Sequence, residues 1–256
     1  MLLEVIRLTK YFGGLAAIED LDIQIDEGGI VGLIGPNGAG KTTFFNLANG
    51  FIRPTSGEVR YKGKEITGMK PHKIARLGIA RSFQLVPLFG EFTTLQNIIV
   101  SCYLHPRSSL WRAFFNTATY QRNEKYCLEH SLEILELVGL DKVKDELAQN
   151  LPHGYQKMLG IARALAIKPQ LMMLDEPLAG MNRDEVTFTM KAIEEISDQG
   201  VTILVVEHNM RILDLCKKVF VINFGRKIAE GSPEDVRQND EVIRAYLGDG
   251  YAASNQ

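Results

Sequence analysis

The chain has 256 residues, of which 45% are hydrophobic, and its 29 basic side chains face 31 acidic ones, for a formal net charge of −2. This composition supplies enough apolar surface for one large core and excludes an intrinsically disordered chain. The near-neutral charge offers no general attraction for nucleic acid, so we expect no nucleic-acid partner.

The N-terminal segment has no basic stretch followed by an apolar run, and so no signal peptide is predicted. The longest apolar runs fall far short of the roughly 20 residues that span a bilayer. Three cysteines without Cys-x-x-Cys spacing predict reduced thiols that serve as packing residues, and the five histidines are scattered. We therefore expect a cytoplasmic location, with any membrane contact made through another protein.

The first elements in chain order are predicted strands. Apolar and polar residues alternate in Leu2 to Leu8 and again in Ile18 to Ile25, which is typical of strands with one exposed face. The next run, Ile30 to Ile34, is continuously apolar, as in a strand buried on both faces of a parallel sheet. Three later runs predict further buried strands: Leu171 to Leu174, Val201 to Val206 and Val219 to Asn223. The expected class is α/β, with a mainly parallel core sheet and an antiparallel flank.

A glycine-rich loop follows the strand at Ile30 to Ile34. The segment from Gly35 to Thr42 matches G-x-x-x-x-G-K followed by Ser or Thr, between a buried strand and a predicted helix. Glycines let successive N–H groups turn toward a phosphate, and the helix N-terminus adds partial positive charge. Lys41 is expected to reach the β- and γ-phosphates of ATP, and Thr42 to ligate Mg²⁺. The predicted ATP-binding residues of this loop are Gly35, Asn37, Gly38, Ala39, Gly40, Lys41, Thr42 and Thr43.

The middle of the chain, from about residue 94 to 166, is predicted to be a helical subdomain inserted between a catalytic core of 1–93 and 167–256. The whole chain, 1–256, is then one nucleotide-binding domain of the P-loop NTPase class. Two sets of residues fall on single helical faces: Leu128, Leu132, Leu135 and Val138, and Met158, Ile161, Ala162 and Leu165.

The end of the chain predicts two short helices. Ser232 followed by Pro233 has the pattern of a helix N-cap with proline at the first helical position. A second helix is expected from about Asp240 to Leu247, and the tail from Tyr251 to Gln256 is expected to fray.

Two adjacent carboxylates end the apolar run at Leu171 to Leu174, in the form of a Walker B strand. Asp175 is suited to hold Mg²⁺ through water, and Glu176 to direct the attacking water. A carboxylate base at Glu176 favours ATP hydrolysis over sugar or nucleoside phosphorylation.

With these motifs, the chain resembles the ATP-binding subunit of ABC transporters over essentially its whole length. Gln84, in Arg81-Ser82-Phe83-Gln84, resembles the family's glutamine that touches Mg²⁺ and the water. His208, which follows the strand at Val201 to Val206, resembles the histidine that bonds the γ-phosphate. The resemblance thus implies that Glu176, His208 and Gln84 are catalytic, and that Thr42, Gln84 and Asp175 hold Mg²⁺.

Near the N-terminus, Lys10-Tyr11-Phe12-Gly13-Gly14 resembles the loop that stacks an aromatic ring on adenine. The register with the two glycines assigns Phe12, with Tyr11 as the alternative. A third reading is that the ring is an ordinary core aromatic.

The main departure from the family lies in the segment Leu151, Pro152, His153, Gly154, Tyr155 and Gln156, where Leu-Ser-Gly-Gly-Gln-Gln is usual. The family's serine donates to the γ-phosphate of ATP held by the opposite subunit, and Pro152 has neither hydroxyl nor N–H. The helix N-terminus with the N–H groups of His153 and Gly154 still forms an anion site. Slow hydrolysis, or dependence on a non-identical second ATPase subunit, is therefore expected. Residues 178–182 resemble the loop that crosses the dimer interface.

Within the family, several stretches resemble the LivG-type ATPase of branched-chain amino-acid importers: residues 78–84, 178–182 and 242–248, and an insertion at about 104–125 with Trp111, Phe114 and Phe115. The resemblance implies a second ATPase subunit, two integral membrane permease subunits, an external solute-binding protein, and a place at the cytoplasmic face of the membrane. A groove for a membrane-subunit helix, or alternatively internal core, is expected from Phe83, Leu85, Val86, Leu88 and Phe89.

Three other functions stay open at this point. The ATPase of lipopolysaccharide export has a similar C-terminal phrase, although the loop at 80–84 and the long insertion count against it. Soluble ABC ATPases that act on ribosomes or DNA usually carry two ATPase halves or a coiled coil, and neither is present. A nucleotide-gated module that barely hydrolyses ATP is suggested by Pro152.

Overall fold

The structure is a computed structural model, and it describes residues 1–82, 88–103, 118–207 and 210–247. Within those residues the chain builds a mainly parallel sheet, an antiparallel sheet and flanking helices. The predicted α/β class is confirmed.

The mainly parallel sheet has the order β10-β9-β3-β8-β7-β6. Its strands are β3 (Ile30–Ile34), β6 (Ile79–Ser82), β7 (Leu171–Asp175), β8 (Thr202–Glu207), β9 (Lys218–Asn223) and β10 (Arg226–Gly231). Neighbouring strands pair in parallel except β10, which runs antiparallel to β9. The continuous apolar runs therefore predicted the central strands correctly.

The antiparallel sheet has the order β2-β1-β4-β5, with β1 (Leu3–Phe12), β2 (Leu15–Ile25), β4 (Ser56–Tyr61) and β5 (Lys64–Glu65). Along β2 the inward side chains of Ile18, Leu21, Ile23 and Ile25 are buried, as their alternation predicted. The antiparallel flank is thus confirmed.

Two hydrophobic cores lie on opposite faces of the parallel sheet. In the first core, Val31 and Leu33 of β3 pack toward α1 (Lys41–Ala48) and the antiparallel sheet. In the second core, Ile30 and Ile34 of β3 pack toward the helices on the other face of the parallel sheet. Because both faces of the parallel sheet are covered, β3 carries no polar side chain. The short helix α2 (Pro71–Arg76) precedes β6 and joins the first core through Ile74.

Where the structure describes residues 94–166, they are mainly helical. They form α3 (Thr94–Tyr103), α4 (Ala118–Leu137) and α5 (His153–Leu165), with 3-10 turns at Asp141–Val143 and Ala148–Asn150. The predicted face of α5 is confirmed, since all four of its apolar residues belong to the second core. The predicted insertion at 104–125, with Trp111, Phe114 and Phe115, falls largely outside the described residues.

The predicted buried face of α4 is partly wrong. Leu128 and Leu132 are 41% and 38% exposed, whereas Cys127 and Ser131, one position earlier in each turn, are buried. Ser131 can be buried because its hydroxyl donates to the carbonyl of Cys127 at 2.6 Å. The buried stripe therefore runs through residues 127, 131, 134, 135 and 138.

The remaining helices are α6 (Arg183–Asp198), α7 (Pro233–Gln238) and α8 (Asp240–Leu247), with a 3-10 segment at Met210–Leu215. Ser232 caps α7 by accepting from the N–H of Asp235, with Pro233 at the first helical position, as predicted. Residue 248 and the predicted frayed tail lie outside the described residues. Among the helices described, none is both long and apolar enough to cross a bilayer.

The cysteines are packing residues, as predicted. Cys102, Cys127 and Cys216 are free and buried. Burial raises the pKa of the Cys216 thiol to about 12, so the thiol stays protonated and unreactive near neutral pH.

Candidate functional site

The glycine-rich loop runs from the end of β3 to the start of α1, and two of its glycines are fixed by close backbone contacts. A Cβ on Gly35 would lie 2.1 Å from the carbonyl oxygen of Ile222, and one on Gly40 would lie 2.5 Å from that of Ala17. Gly40 is also left-handed, with φ +106°. The loop therefore lies against β9 and β2, and a side chain at either glycine would displace it.

The first turn of α1 is open toward the loop. Gly40 occupies the N-cap, and among the described residues no side chain caps this helix. Its leading N–H groups and its dipole therefore suit an anion. Asn37, Gly38 and Thr42 are exposed at this point, whereas Gly35 and Ala39 are buried and Thr43 is half-buried.

Lys41 folds back onto the loop. Its ammonium donates to the carbonyl oxygens of Gly35 at 2.6 Å and Pro36 at 2.9 Å, and the residue is only 6% exposed. Burial lowers the pKa of Lys41, while the nearby carboxylates of Glu176, Asp175 and Glu207 act in the opposite direction. A nucleotide phosphate would replace the two carbonyls as the partner of this ammonium.

Asp175 ends the fully buried strand β7 and is 5% exposed. Its carboxylate accepts from the guanidinium of Arg81 at 2.7 Å. Arg81 lies on β6 and also donates to the side-chain oxygen of Asn46, on α1, at 2.7 Å. Arg81 therefore links β6, β7 and α1.

Glu176 begins the turn after β7. Its backbone is left-handed, with φ +47°, and its N–H donates to the carbonyl of Val206 at 2.9 Å. A non-glycine residue pays roughly 1–2 kcal/mol for this conformation. Such strain concentrates at functional sites, and here it turns the chain sharply at the strand end.

Gln84 and His208 lie outside the described residues, but the structure describes the strands that precede them. The register pairs Ser82 with Leu174, Asp175 with Val206, and Ile34 with Glu207. The carboxyl ends of β3, β6, β7 and β8 therefore lie at one edge of the sheet, beside the glycine-rich loop. This is the edge at which ligands bind in parallel α/β sheets.

The segment from Leu151 to Gln156 leads into α5. Pro152 is the N-cap of α5, and within the described chain no side chain caps that helix. The side chain of Gln156 donates to the carbonyl of Leu151 at 3.0 Å, while His153 is exposed and Gly154 is buried. Tyr155 is half-buried with its ring 6.1 Å from that of Phe188. Pro152 and His153 at the helix N-terminus are therefore accessible, whereas Gly154 is covered.

Phe12 and Tyr11 are both accessible at the end of β1, with exposed fractions of 50% and 41%. The ammonium of Lys10 lies 5.1 Å from the centre of the Phe12 ring. The core reading is wrong for both rings, because neither is buried. Their exposure is compatible with stacking on a base, and the assignment between them stays a prediction.

The predicted groove residues are only partly described. Phe83, Leu85 and Val86 lie outside the described residues. Leu88 packs against the second core, in line with the internal reading, whereas Phe89 is 44% exposed.

Three site residues escaped the sequence analysis: Arg81, Lys157 and Glu207. Each places a charged side chain in a buried position, where it is less than one tenth exposed. A charged residue within a stretch predicted to be buried could have indicated these three residues, because a charge on a buried face needs a specific partner.

A sheet edge that gathers a phosphate-binding loop, a lysine and two adjacent carboxylates defines a P-loop ATPase. Comparison with known proteins then specifies the family. The ABC transporter family model matches residues 18–179, and a model for the branched-chain amino acid ATP-binding cassette transporter matches residues 226–252. The chain belongs to the ABC transporter family and is an ATPase coupled to transport.

Similar proteins cover nearly the whole chain. The high-affinity branched-chain amino acid transport ATP-binding protein BraF of Pseudomonas aeruginosa is 41% identical over 97% of this chain and 98% of its own length. LivG of Escherichia coli, a protein of the same description, is 38% identical over the same shares. A crystal structure of the ADP conformation of MJ1267, an ATP-binding cassette of an ABC transporter, has a TM-score of 0.83 and 31% identity, with 97% of this chain and 99% of that chain covered.

Proposed function

We propose that the chain is the ATP-hydrolysing motor of an importer for branched-chain or related amino acids. The observation that carries the chemistry is the common sheet edge, where the charges of Asp175, Glu176 and Glu207 act on the Lys41 ammonium. The solute class rests on the named relatives and on the match at residues 226–252. That match also favours amino-acid import over lipopolysaccharide export.

In this proposal the phosphates of ATP lie along the loop from Gly35 to Thr42. The N–H groups of the loop and of the first turn of α1 bind the phosphate oxygens, and Lys41 turns from the carbonyls of Gly35 and Pro36 to the β- and γ-phosphates. Phe12, or Tyr11 in its place, stacks on adenine. Asn37 and Thr43 are two further loop residues that contact ATP in this proposal.

The donors near the loop fit Mg²⁺. The Thr42 hydroxyl and the Asp175 carboxylate are hard oxygen donors, and Mg²⁺ commonly takes one or two protein oxygens together with nucleotide phosphates and water. When bound, the ion neutralises charge that develops on the transferred phosphoryl group. Gln84 is proposed as a further contact of the ion and the water.

Glu176 is proposed as the general base. Its carboxylate accepts a proton from the water that attacks the γ-phosphorus, and the bond to the leaving oxygen of ADP breaks. His208, which follows β8, bonds the γ-phosphate. The left-handed backbone of Glu176 at the sheet edge supports this role, because strained conformations concentrate at functional sites.

A second ATPase subunit completes each site in this proposal. The N-terminus of α5, where His153 is exposed and Gly154 is buried, binds the γ-phosphate of ATP held by the partner. Since Pro152 contributes no donor, the partner's equivalent segment would supply the better half of the other site. A partner that is a related but distinct chain therefore fits the sequence, and slow hydrolysis in this chain alone is the second candidate outcome.

Two permease subunits, fed by an external solute-binding protein, are the proposed membrane partners, with this chain at the cytoplasmic face. A groove of about 270 Å³ lies between α2 and β6 and is lined by Phe51, Pro71, His72, Ala80, Arg81 and Ile167. Phe51 is 49% exposed, so an apolar helix of a permease has an anchor there.

The test of the proposed base is Glu176→Gln in the purified full chain. We expect ATP binding to survive and phosphate release to disappear, because the amide cannot accept the proton. Glu194→Gln, at an exposed glutamate of α6, is the control and should hydrolyse ATP like the parent. Equal phosphate release in Glu176→Gln and the parent would remove Glu176 as the base.

A further inference from the structure

Lys157 lies in the second turn of α5, on the face that the helix buries. It is 9% exposed, and its neighbours Met158 and Ile161 belong to the second core. An ammonium in such surroundings loses its hydration and is stable only if other groups replace the water. The groups that replace this water show which part of the structure Lys157 contacts.

Backbone carbonyl oxygens of the turn after β7 replace the hydration water of the Lys157 ammonium. The ammonium donates to the carbonyl of Glu176 at 3.3 Å and, over a shorter distance, to the carbonyl of Ala179. The N–H of Ala179 also donates to the carbonyl of Glu176 at 3.3 Å. Lys157 thus clamps both ends of the turn that begins at the proposed base.

Two carboxylates surround this clamp. Glu207, at the end of β8, is fully buried and accepts from the N–H of Leu178 at 2.7 Å, inside the same turn. Burial lowers the pKa of Lys157, and the charges of Glu207 and Glu176 act in the opposite direction. The positive charge therefore belongs to a buried unit that includes α5, the turn and the end of β8.

The clamp acts on a strained backbone. Glu176 has φ +47°, and its N–H is held by Val206 while its carbonyl is held by Lys157. A conformation of this kind persists only where its surroundings impose it. Loss of the ammonium removes one of these constraints and lets the carboxylate of Glu176 shift.

The first turn of α5 packs against the other side of the same region. A Cβ on Gly154 would lie 2.6 Å from the carboxylate of Glu185, which forms the capping box of α6 with Asn182. A Cβ on Gly180 would lie 3.7 Å from the ring of His153. His153 of α5 therefore lies close to Gly180 in the turn that carries Glu176, and Gly154 lies against the start of α6.

We propose that Lys157 is a positioning residue that couples α5 to the backbone of Glu176, so that contact of α5 with the partner subunit's ATP is passed to this chain's own base. The proposal rests on the proposed function for the role of Glu176 and for the place of α5 at the partner's ATP. It assigns to one side chain the communication between two ATP sites.

The test is Lys157→Met in the complete transporter complex, with Lys191→Met as the matched control. Lys191 is a surface lysine of α6, with a side chain 76% exposed. Lys157→Met should lower kcat by roughly ten- to 100-fold, since a small displacement of a catalytic group has effects of this size. The Kd for ATP should stay within about twofold, and the Hill coefficient for ATP should fall to about 1 because the two sites no longer communicate.

A kcat and a Hill coefficient equal to those of Lys191→Met would overturn the proposal. So would a parallel loss of ATP affinity and kcat, which indicates a purely structural role. Failure of the proposed function looks different: Glu176→Gln would then retain turnover. If Glu176→Gln is inactive and Lys157→Met behaves like the control, only the coupling role is wrong.

A second measurement decides the matter even if Lys157→Met does not fold. In Glu176→Gln complexes with Lys157 intact, addition of ATP should slow amide exchange in residues 153–157 and 176–181 together. Protection of one segment without the other would contradict the coupling.

Discussion

At the scale of single residues, the site depends on charges that are buried and paired. Arg81 and Asp175 have side chains 7% and 5% exposed and lie 2.7 Å apart. The guanidinium also lies 5.4 Å from the ring centre of Phe45 and 5.7 Å from that of Phe51. Arg81 thus lines the proposed permease groove and also contacts the proposed magnesium ligand.

Arg81→Met is expected to lower the free energy of unfolding by about 3–5 kcal/mol, because it leaves the Asp175 carboxylate buried without its cation. Asp175→Asn in the same chain should recover part of that loss, since the stranded charge is removed. Urea unfolding of both single variants and the double variant measures the coupling.

The control is Arg60→Met, whose partner Glu58 is also 2.7 Å away but whose pair is 43% exposed at each residue. An exposed pair contributes little to stability, because water and salt screen the two charges. If Arg81→Met lowered the free energy of unfolding as little as Arg60→Met does, the buried pair would not stabilise the fold as proposed.

At the scale of elements, the sequence predicts strands better than helix faces. The runs at residues 30–34 and 171–174 are apolar throughout, so burial on both faces follows directly, and the glycine-rich loop has a known context between strand and helix. In α4 the leucines at 128 and 132 outweigh Cys127 and Ser131 on any hydropathy count. The helix nevertheless buries the smaller side chains, because their size allows close approach and Ser131 bonds within the helix.

The corrected face of α4 leads to a stability prediction. Ile134→Ala should cost about 2–5 kcal/mol of unfolding free energy, because Ile134 is 3% exposed and its removal leaves a cavity. Leu132→Ala, at a residue 38% exposed, should cost less than about 1 kcal/mol. Thermal or urea unfolding compares the two, and a larger loss for Leu132→Ala would restore the original face.

Long-range pairs in the site could not be predicted from the sequence. Lys157 contacts carbonyls 19 and 22 positions away, and Arg81 contacts a carboxylate 94 positions away. Periodicity describes which face of one element is apolar, but it does not say which element supplies a partner to a buried charge. The motif residues were predictable because each motif specifies the strand, loop or helix in which it occurs. Their roles are proposals that the variants test.

At the scale of the whole molecule, the parallel sheet gathers the parts of the site from segments far apart in the chain. Lys41 follows β3, Asp175 ends β7, and β6 and β8 lead toward Gln84 and His208. The helices on the other face include α5, whose first residue His153 is exposed. In the proposed function, the glycine-rich loop binds one nucleotide and the N-terminus of α5 contacts a second one held by the partner.

Phosphate release by the complete complex in lipid vesicles tests the central claim most directly. The complex contains this chain, its partner ATPase and the permeases, and the binding protein is added with or without leucine as the branched-chain amino acid. We expect leucine with its binding protein to increase phosphate release, and Glu176→Gln to abolish it. Phosphate release that no branched-chain amino acid alters, or that persists unchanged in Glu176→Gln, would contradict the proposed function.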